Sequence, residues 1–551
     1  MKKLKKQWGL LLSLAMISAS LSACSSGSNS ADPSAETGGN NQNKNKSENR
    51  AKAGEEPDNN SLNKEGFPIV KEPITLTMLG QDVGIQNWED MPFFKKMEEL
   101  SGIQFEFRNA PIDSYDTKRN LVLGSGDYPD VFFSGQFSSS DEVNYGGQGV
   151  LIPLEGLIDN YAPNLKKIFD EHPDIRKSIT TLDGHIYTLP GIDLSAVWYR
   201  SPLWYNGKFL KALGMDKIPS TVDELYTYLK RVKEEDPNGN GKQDEIPLTS
   251  VKLNDLRMWL LGSWGIYNEV IYADKEGKVH YTPMEPGYKE YLTFLNKLWS
   301  EGLLDKETFS QTDEQKTAKG KNNQVGLFGS YHAYFIMGSE PSMTDPLYAP
   351  VNSDVPAVAA KHPGLAKGAF AITSNNKYPE ETIRWIDYFY STEGAEMLSY
   401  GPEGILWEFV NKEDRTKKWL DVPGGGDREE YRATLTPDYG VVVPKVSNAD
   451  VSRGLISEFD DWVRKETEEK IVPIAKVPFP SVYLTQEEQA KISSIRSDLD
   501  KYVEQMEAKF VTGQEPLANW DKYIETCKKM GGEQIAAIYQ AAYDKWSGNN
   551  S

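Results

Sequence analysis

Glu72-Pro-Ile-Thr-Leu-Thr-Met-Leu79 alternates apolar and polar residues in the manner of a strand, and the sixty residues after it decide the fold class. A helix is predicted over Pro92–Leu100, ending before Gly102. Ile103-Gln-Phe-Glu-Phe107 alternates again, a second helix is predicted over Asp116–Leu123, and Val131-Phe-Phe133 reads as a buried strand. Strand, helix, strand, helix, strand is the order of a parallel sheet with helices packed on it, so the expectation is an α/β fold. Ligands of such sheets sit at the carboxyl ends of strands, and the loop Asp127–Asp130 is expected to emerge there.

Further along, Leu182-Asp-Gly-His-Ile-Tyr-Thr-Leu-Pro190 reads as a tight turn between two short strands, with a strand following at Val197–Arg200. Thr221-Val-Asp-Glu224 has the spacing of a capping box. It opens a helix whose apolar face is Val222, Leu225, Tyr226, Leu229 and Val232. Other helices are predicted at Gly287–Glu301, Glu380–Tyr390, Thr392–Tyr400, Gln486–Glu507 and Gly532–Trp546, and strands at Gln324–Phe328 and Gly368–Ile372.

The predicted helix from Thr221 runs into Asp236-Pro-Asn-Gly-Asn-Gly-Lys-Gln-Asp-Glu-Ile-Pro247. Oxygen-bearing side chains fall at its positions one, three, five, nine and ten, and Gly241 is sixth, which is the spacing of an EF-hand-like calcium loop. Position twelve is Pro247 instead of the bidentate Glu. Either Glu245 supplies that carboxylate, or the stretch is an Asn-Gly turn without an ion.

At the N-terminus, Met1–Lys6 is a positive segment and Trp8–Ala19 an apolar run too short to span a bilayer. Leu21-Ser-Ala-Cys24 resembles a bacterial lipobox, in which residues 1–23 are removed and Cys24 is acylated, giving lasting attachment to a membrane. Residues 24–66 are poor in large apolar side chains and read as a flexible tether. With only Cys24 and Cys527 present, lipidation of Cys24 leaves no internal disulfide.

The 551 residues carry a formal charge of -20, or -24 once lysines 2, 3, 5 and 6 are removed, which argues against nucleic acid as a partner. There is no G-x-S-x-G elbow and no phosphate loop ending in Gly-Lys. Histidines 172, 185, 280, 332 and 362 lack metal-ligand spacing. Among 81 acidic residues no pair stands out as a glycosidase couple.

Several of these segments, with Ser125-Gly-Asp-Tyr-Pro-Asp130, Pro219–Leu225, Gly401-Pro-Glu-Gly-Ile-Leu-Trp407 and Ile538-Tyr-Gln-Ala-Ala-Tyr543, resemble extracellular solute-binding proteins, family 1. The resemblance is to their long Gram-positive lipoprotein branch, and it spans Phe67 to Trp546. It implies two lobes with a hinge and an interlobe cleft, like a periplasmic binding protein. The expected first lobe is 67–189 with a return segment at 324–374, and the second is 190–323 with 375–551. It further implies a monomer, a carbohydrate ligand, an ABC transporter permease as partner, and no catalysis. A surface-anchored polysaccharide hydrolase, and a receptor for a non-sugar solute or signalling partner, are the alternatives.

Alginate-binding members carry a similar calcium loop, and that likeness implies Asp236, Asn238, Asn240, the Lys242 carbonyl, Asp244 and Glu245 as ligands. The branch's usual Arg-Lys-Asp-Trp-Leu is replaced here by Tyr199-Arg-Ser-Pro-Leu-Trp-Tyr-Asn206, so a different ligand is expected. Sugars need aromatic platforms for their C–H faces and polar groups for their hydroxyls. Candidates in segments expected at the cleft are Asp127, Tyr187, Tyr199, Arg200, Trp204, Trp264, Tyr331, Glu403 and Trp407.

Overall fold

A computed structural model describes residues 61–195, 202–340, 342–361 and 364–548. Cys24, Tyr199, Arg200 and the strand expected at Val197–Arg200 lie outside the described residues. The expected tether ends sooner than residue 66, because Leu62 is already buried and bridges Val70.

All described residues belong to one compact unit that contains two main sheets. The first sheet runs in the order Val446–Ser447, Leu189–Asp193, Leu365–Ile372, Val131–Phe133, Ile74–Asp82, Ile103–Phe107, with Ala110–Pro111 also paired to Ile74–Asp82. Leu365–Ile372 is antiparallel to both neighbours and the other pairs are parallel. The second sheet places Val325–Gly329 between Leu203–Tyr205, antiparallel, and Ile246–Thr249, parallel.

Local chemistry explains these elements. Ile74–Asp82 alternates at its start and is buried from Met78 to Gln81, where it becomes a central strand. Gly80 has no substitute, since a Cβ there would lie 2.2 Å from the Trp88 ring. The helix Pro92–Ser101 has Pro at its first position and stops at Gly102, whose φ of 77° suits only glycine well. Its Phe93, Phe94 and Met97 enter the first core, each worth about 1.5–3 kcal/mol of burial.

Thr221 caps the helix Val222–Glu234 as expected, but the Glu224 carboxylate accepts from the Ser220 N–H at 2.8 Å, so the reciprocal half of the capping box falls one residue earlier. Leu225, Tyr228, Leu229 and Val232 are its buried face. Of the two strands expected around Leu182–Pro190, only Leu189–Asp193 forms.

The expected lobe boundaries need two corrections. Val325–Gly329 is buried throughout and pairs within the second sheet, so only Leu365–Ile372 returns to the first. Helices Pro379–Asp387 and Thr392–Tyr400, with Val443, Val446 and Val451, pack in the first core and not the second. The second core takes helices Glu458–Lys470, Gln486–Thr512 and Trp520–Lys529. No helix among the described residues is long and apolar enough to cross a membrane.

Candidate functional site

The chain leaves the first sheet at the carboxyl end of Leu189–Asp193 and enters the second sheet at Leu203. The Ser330 N–H, just past the carboxyl end of Val325–Gly329, donates to the Pro202 carbonyl at 3.1 Å. The loop after that strand is therefore held at the crossing between the lobes. It presents Tyr331 and Phe335, 52% and 53% exposed, with their rings stacked at 6.4 Å. Exposed aromatic pairs of this size need a reason, because burial is the default for such side chains. Beneath them His332 is buried, 4.5 Å from the Tyr331 ring and 5.1 Å from Phe459.

His332 Nε2 lies 3.9 Å from Asp460, which lines a cavity of about 890 Å3. Both lobes form its walls: Asp193, Ser195, Tyr400, Arg432 and Lys445 from the first, and Asp461, Arg464 and Glu468 of the helix Glu458–Lys470 from the second. The loop from Ser447 to Ser457 closes one side. Burial lowers the His332 pKa from its usual 6.5, leaving the ring neutral at neutral pH.

The carboxyl ends of Ile74–Asp82 and Val131–Phe133 carry a separate polar cluster that does not line this cavity. Ser134 and Gln136 have φ of 55° and 49°, a left-handed backbone that non-glycine residues adopt at a cost. Gln81 holds this turn by donating to the Ser134 carbonyl and accepting from Gln136 at 2.9 Å. Arg119, nearly buried, donates to the Gly135 carbonyl at 2.9 Å. The buried Ser134 hydroxyl has no hydrogen-bond partner. None of these residues stood out in the sequence; for Ser134 and Gln136 the signal was their position after a buried strand, and Gln81 and Arg119 had none.

Of the described candidates named from sequence, Tyr331 is brought to the crossing, Trp204 lies buried beneath the same loop, and Asp127, Tyr187, Trp264, Glu403 and Trp407 make their contacts elsewhere. Asp127 precedes Val131–Phe133, so its loop lies at the amino end of that strand, opposite to the expectation; its side chain is 82% exposed and 3.3 Å from Arg108. Tyr187 also precedes its strand and is buried, donating to Asp183 at 2.8 Å. Trp204 is fully buried in the second core, its indole N–H donating to the Ser330 carbonyl at 2.9 Å. Trp264 packs on the same core beside Tyr291 and Phe294. Glu403 pairs with Lys412 at 3.3 Å, and Trp407 is buried with its N–H on the Gly401 carbonyl.

The oxygen-rich loop is compact. Asp236, at φ 49°, accepts from the Gly241 N–H at 2.9 Å, and Asn238 and Asn240 each donate to Asp244 at 3.0 Å. Glu245 is buried and neither carboxylate oxygen meets a donor at hydrogen-bonding geometry. Burial raises its pKa above the usual 4.5, and the neighbouring Asp236 adds to the rise. A buried carboxylate without donors is costly unless a cation meets it. Turning the two amides over would present oxygens to the same point. Calcium therefore fits the donor set Asp236, Asn238, Asn240, Asp244 and Glu245, with the Lys242 carbonyl. Among the described residues no cluster of three or more His, Cys, Asp or Glu is arranged for a metal.

A model of the bacterial extracellular solute-binding protein family matches residues 86–396. The chain is 30% identical over 513 residues to the fructooligosaccharide ABC transporter substrate-binding protein FusA of Streptococcus pneumoniae, spanning 88% of this chain and 93% of that one. A solved structure of FusA with kestose has a TM-score of 0.68 at 29% identity, spanning 87% of this chain and 100% of that one. Another, of a FusA EF-hand mutant with fructo-nystose, has a TM-score of 0.67 at 29% identity over the same shares. Two α/β lobes, a cavity between them, and a family match across most of the first lobe and into the second agree: the chain belongs to the bacterial extracellular solute-binding proteins.

Proposed function

We propose that this protein captures an oligosaccharide between its two lobes and hands it to the permease of an ABC transporter. The observation that carries this reading is the exposed Tyr331–Phe335 stack at the lobe crossing, beside a cavity rich in hydroxyl-binding carboxylates and guanidinium groups. FusA, whose name and kestose complex describe sugar capture, supports the same reading. The mechanism is binding, hinge closure and release, with no covalent step. Anchoring through acylated Cys24 and a tether would keep a monomeric receptor at the extracellular face of the cell membrane. Calcium at Asp236–Glu245 would serve as a brace, tying the end of Val222–Glu234 to the start of Ile246–Thr249; the EF-hand of FusA supports this.

Thermal shift across a panel of oligosaccharides, peptides and small solutes tests the reading, because a ligand that binds the folded state raises the melting temperature. A shift with fructo-oligosaccharides or another sugar class is expected. Shifts with peptides alone would overturn the sugar assignment, and release of reducing ends from a polysaccharide would favour a hydrolase.

A further inference from the structure

We propose that the interlobe site selects uncharged saccharides and rejects uronates and other anionic ones, because each cation in its wall is already matched by a protein carboxylate. The inference rests on the sugar-capture reading and adds its charge rule.

The cavity wall holds seven carboxylates and four cations, a formal excess of three negative charges. The Arg432 guanidinium meets Glu429 at 2.8 Å and donates to the Ser399 carbonyl, also at 2.8 Å. Lys445 pairs with Asp438 and also donates to the Ser399 hydroxyl at 2.5 Å. Arg453 pairs with Asp450, and Arg464 bridges Asp461 and Glu468 at 2.7 Å each. Among the described residues that line the cavity, every Lys and Arg thus already faces a protein carboxylate, so a ligand carboxylate would meet cations whose charge is locally balanced. His332, beside Asp460, is held neutral by its burial and does not supply the missing charge.

The carboxylates, by contrast, retain acceptor capacity. Asp193 uses one oxygen for the Ser195 N–H and hydroxyl, at 2.9 and 2.5 Å. Asp460 takes the Ser457 hydroxyl at 2.7 Å on one oxygen. An ionised carboxylate only accepts, so it asks its ligand for donors. Sugar hydroxyls are donors and a uronate carboxylate is not. A uronate would thus lose a hydrogen bond and meet uncompensated negative charge within a partly desolvated space, where Coulomb terms are stronger than in water.

The test is calorimetry on the full chain in detergent, with kestose and a trigalacturonate as probes of equal length, at low and high ionic strength. Kestose is expected to bind at least about tenfold more tightly at low salt, and the gap to narrow with added salt as repulsion is screened. Trigalacturonate binding as tight as kestose, and weakening with salt, would overturn the charge rule while leaving sugar capture intact. If neither sugar binds and a peptide does, the sugar reading itself falls. In Asp438→Asn, which frees Lys445, the ratio should move toward the uronate by several-fold; an unmoved ratio in a variant with an unchanged melting temperature would count against the proposal.

Discussion

The loop Asp236–Glu245 and the interlobe cavity are both small spaces ringed by oxygen atoms, and they are assembled in opposite ways. The loop draws its donors from ten consecutive residues, so its geometry follows from turns and short-range hydrogen bonds such as Asn240 N–H to Asn238 at 2.9 Å. The cavity draws Asp193, Tyr400, Lys445 and Asp460 from across the chain. Its shape exists only once two sheets and their cores have formed. The loop should therefore answer to ions and leave binding alone, whereas the cavity wall should answer to ligand and leave stability alone.

The strongest test of that division concerns Trp204, a residue the sequence placed at the cleft and the structure places in the second core. Trp204→Ala should lower stability by about 3–5 kcal/mol in denaturant unfolding. A variant that unfolds normally and binds poorly would return Trp204 to the cleft. Next, chelation or Asp236→Ala should lower stability by about 2–4 kcal/mol relative to protein with calcium in large excess, read by thermal melts, with ligand affinity at low temperature nearly unchanged. Lost affinity without lost stability would erase the contrast between the two regions. Third, Tyr331→Ala with Phe335→Ala should raise the ligand Kd roughly thirtyfold, about 2 kcal/mol, with little change in melting temperature because both rings are half exposed.

A smaller effect sharpens the loop's half of the comparison. The Glu245 pKa is raised in the folded chain, so its contribution to stability is present below the unfolded value near 4.5 and lost as pH rises through the folded one. In chelator, Glu245→Gln should thus gain on the native chain as pH rises from acid to neutral. In calcium the ionised carboxylate is wanted and the order should reverse; urea titrations at several pH values would show it. Least of all, Asp127→Asn should change stability and affinity by no more than about 0.5 kcal/mol, since the Arg108 pair is solvent-exposed.

Legibility followed sequence distance. The strand–helix order from Ile74 to Phe133, the cap at Thr221 and the helix end at Gly102 were readable because propensity, capping and periodicity act within a few residues, whereas the helix expected to end at Glu507 runs on to Thr512. Val325–Gly329 was recognisable as a strand but not assignable to a sheet, since its partners lie near residues 204 and 248. The aromatics chosen for the cleft show the same limit. A tryptophan that packs and a tryptophan that stacks on a sugar look alike in one dimension, and Trp204, Trp264 and Trp407 all turned inward.

By itself, then, the sequence determined the α/β class, the oxygen pattern of residues 236–245 and a cysteine content of two, Cys24 and Cys527. Each of these depends on residue type and short spacing. Only the tertiary structure decided which strands share a sheet, that helices 379–400 belong with the first core, and which aromatic rings stay exposed at the crossing. Those outcomes depend on which distant surfaces bury each other, and that free energy is settled by the whole fold, not by any local stretch of it.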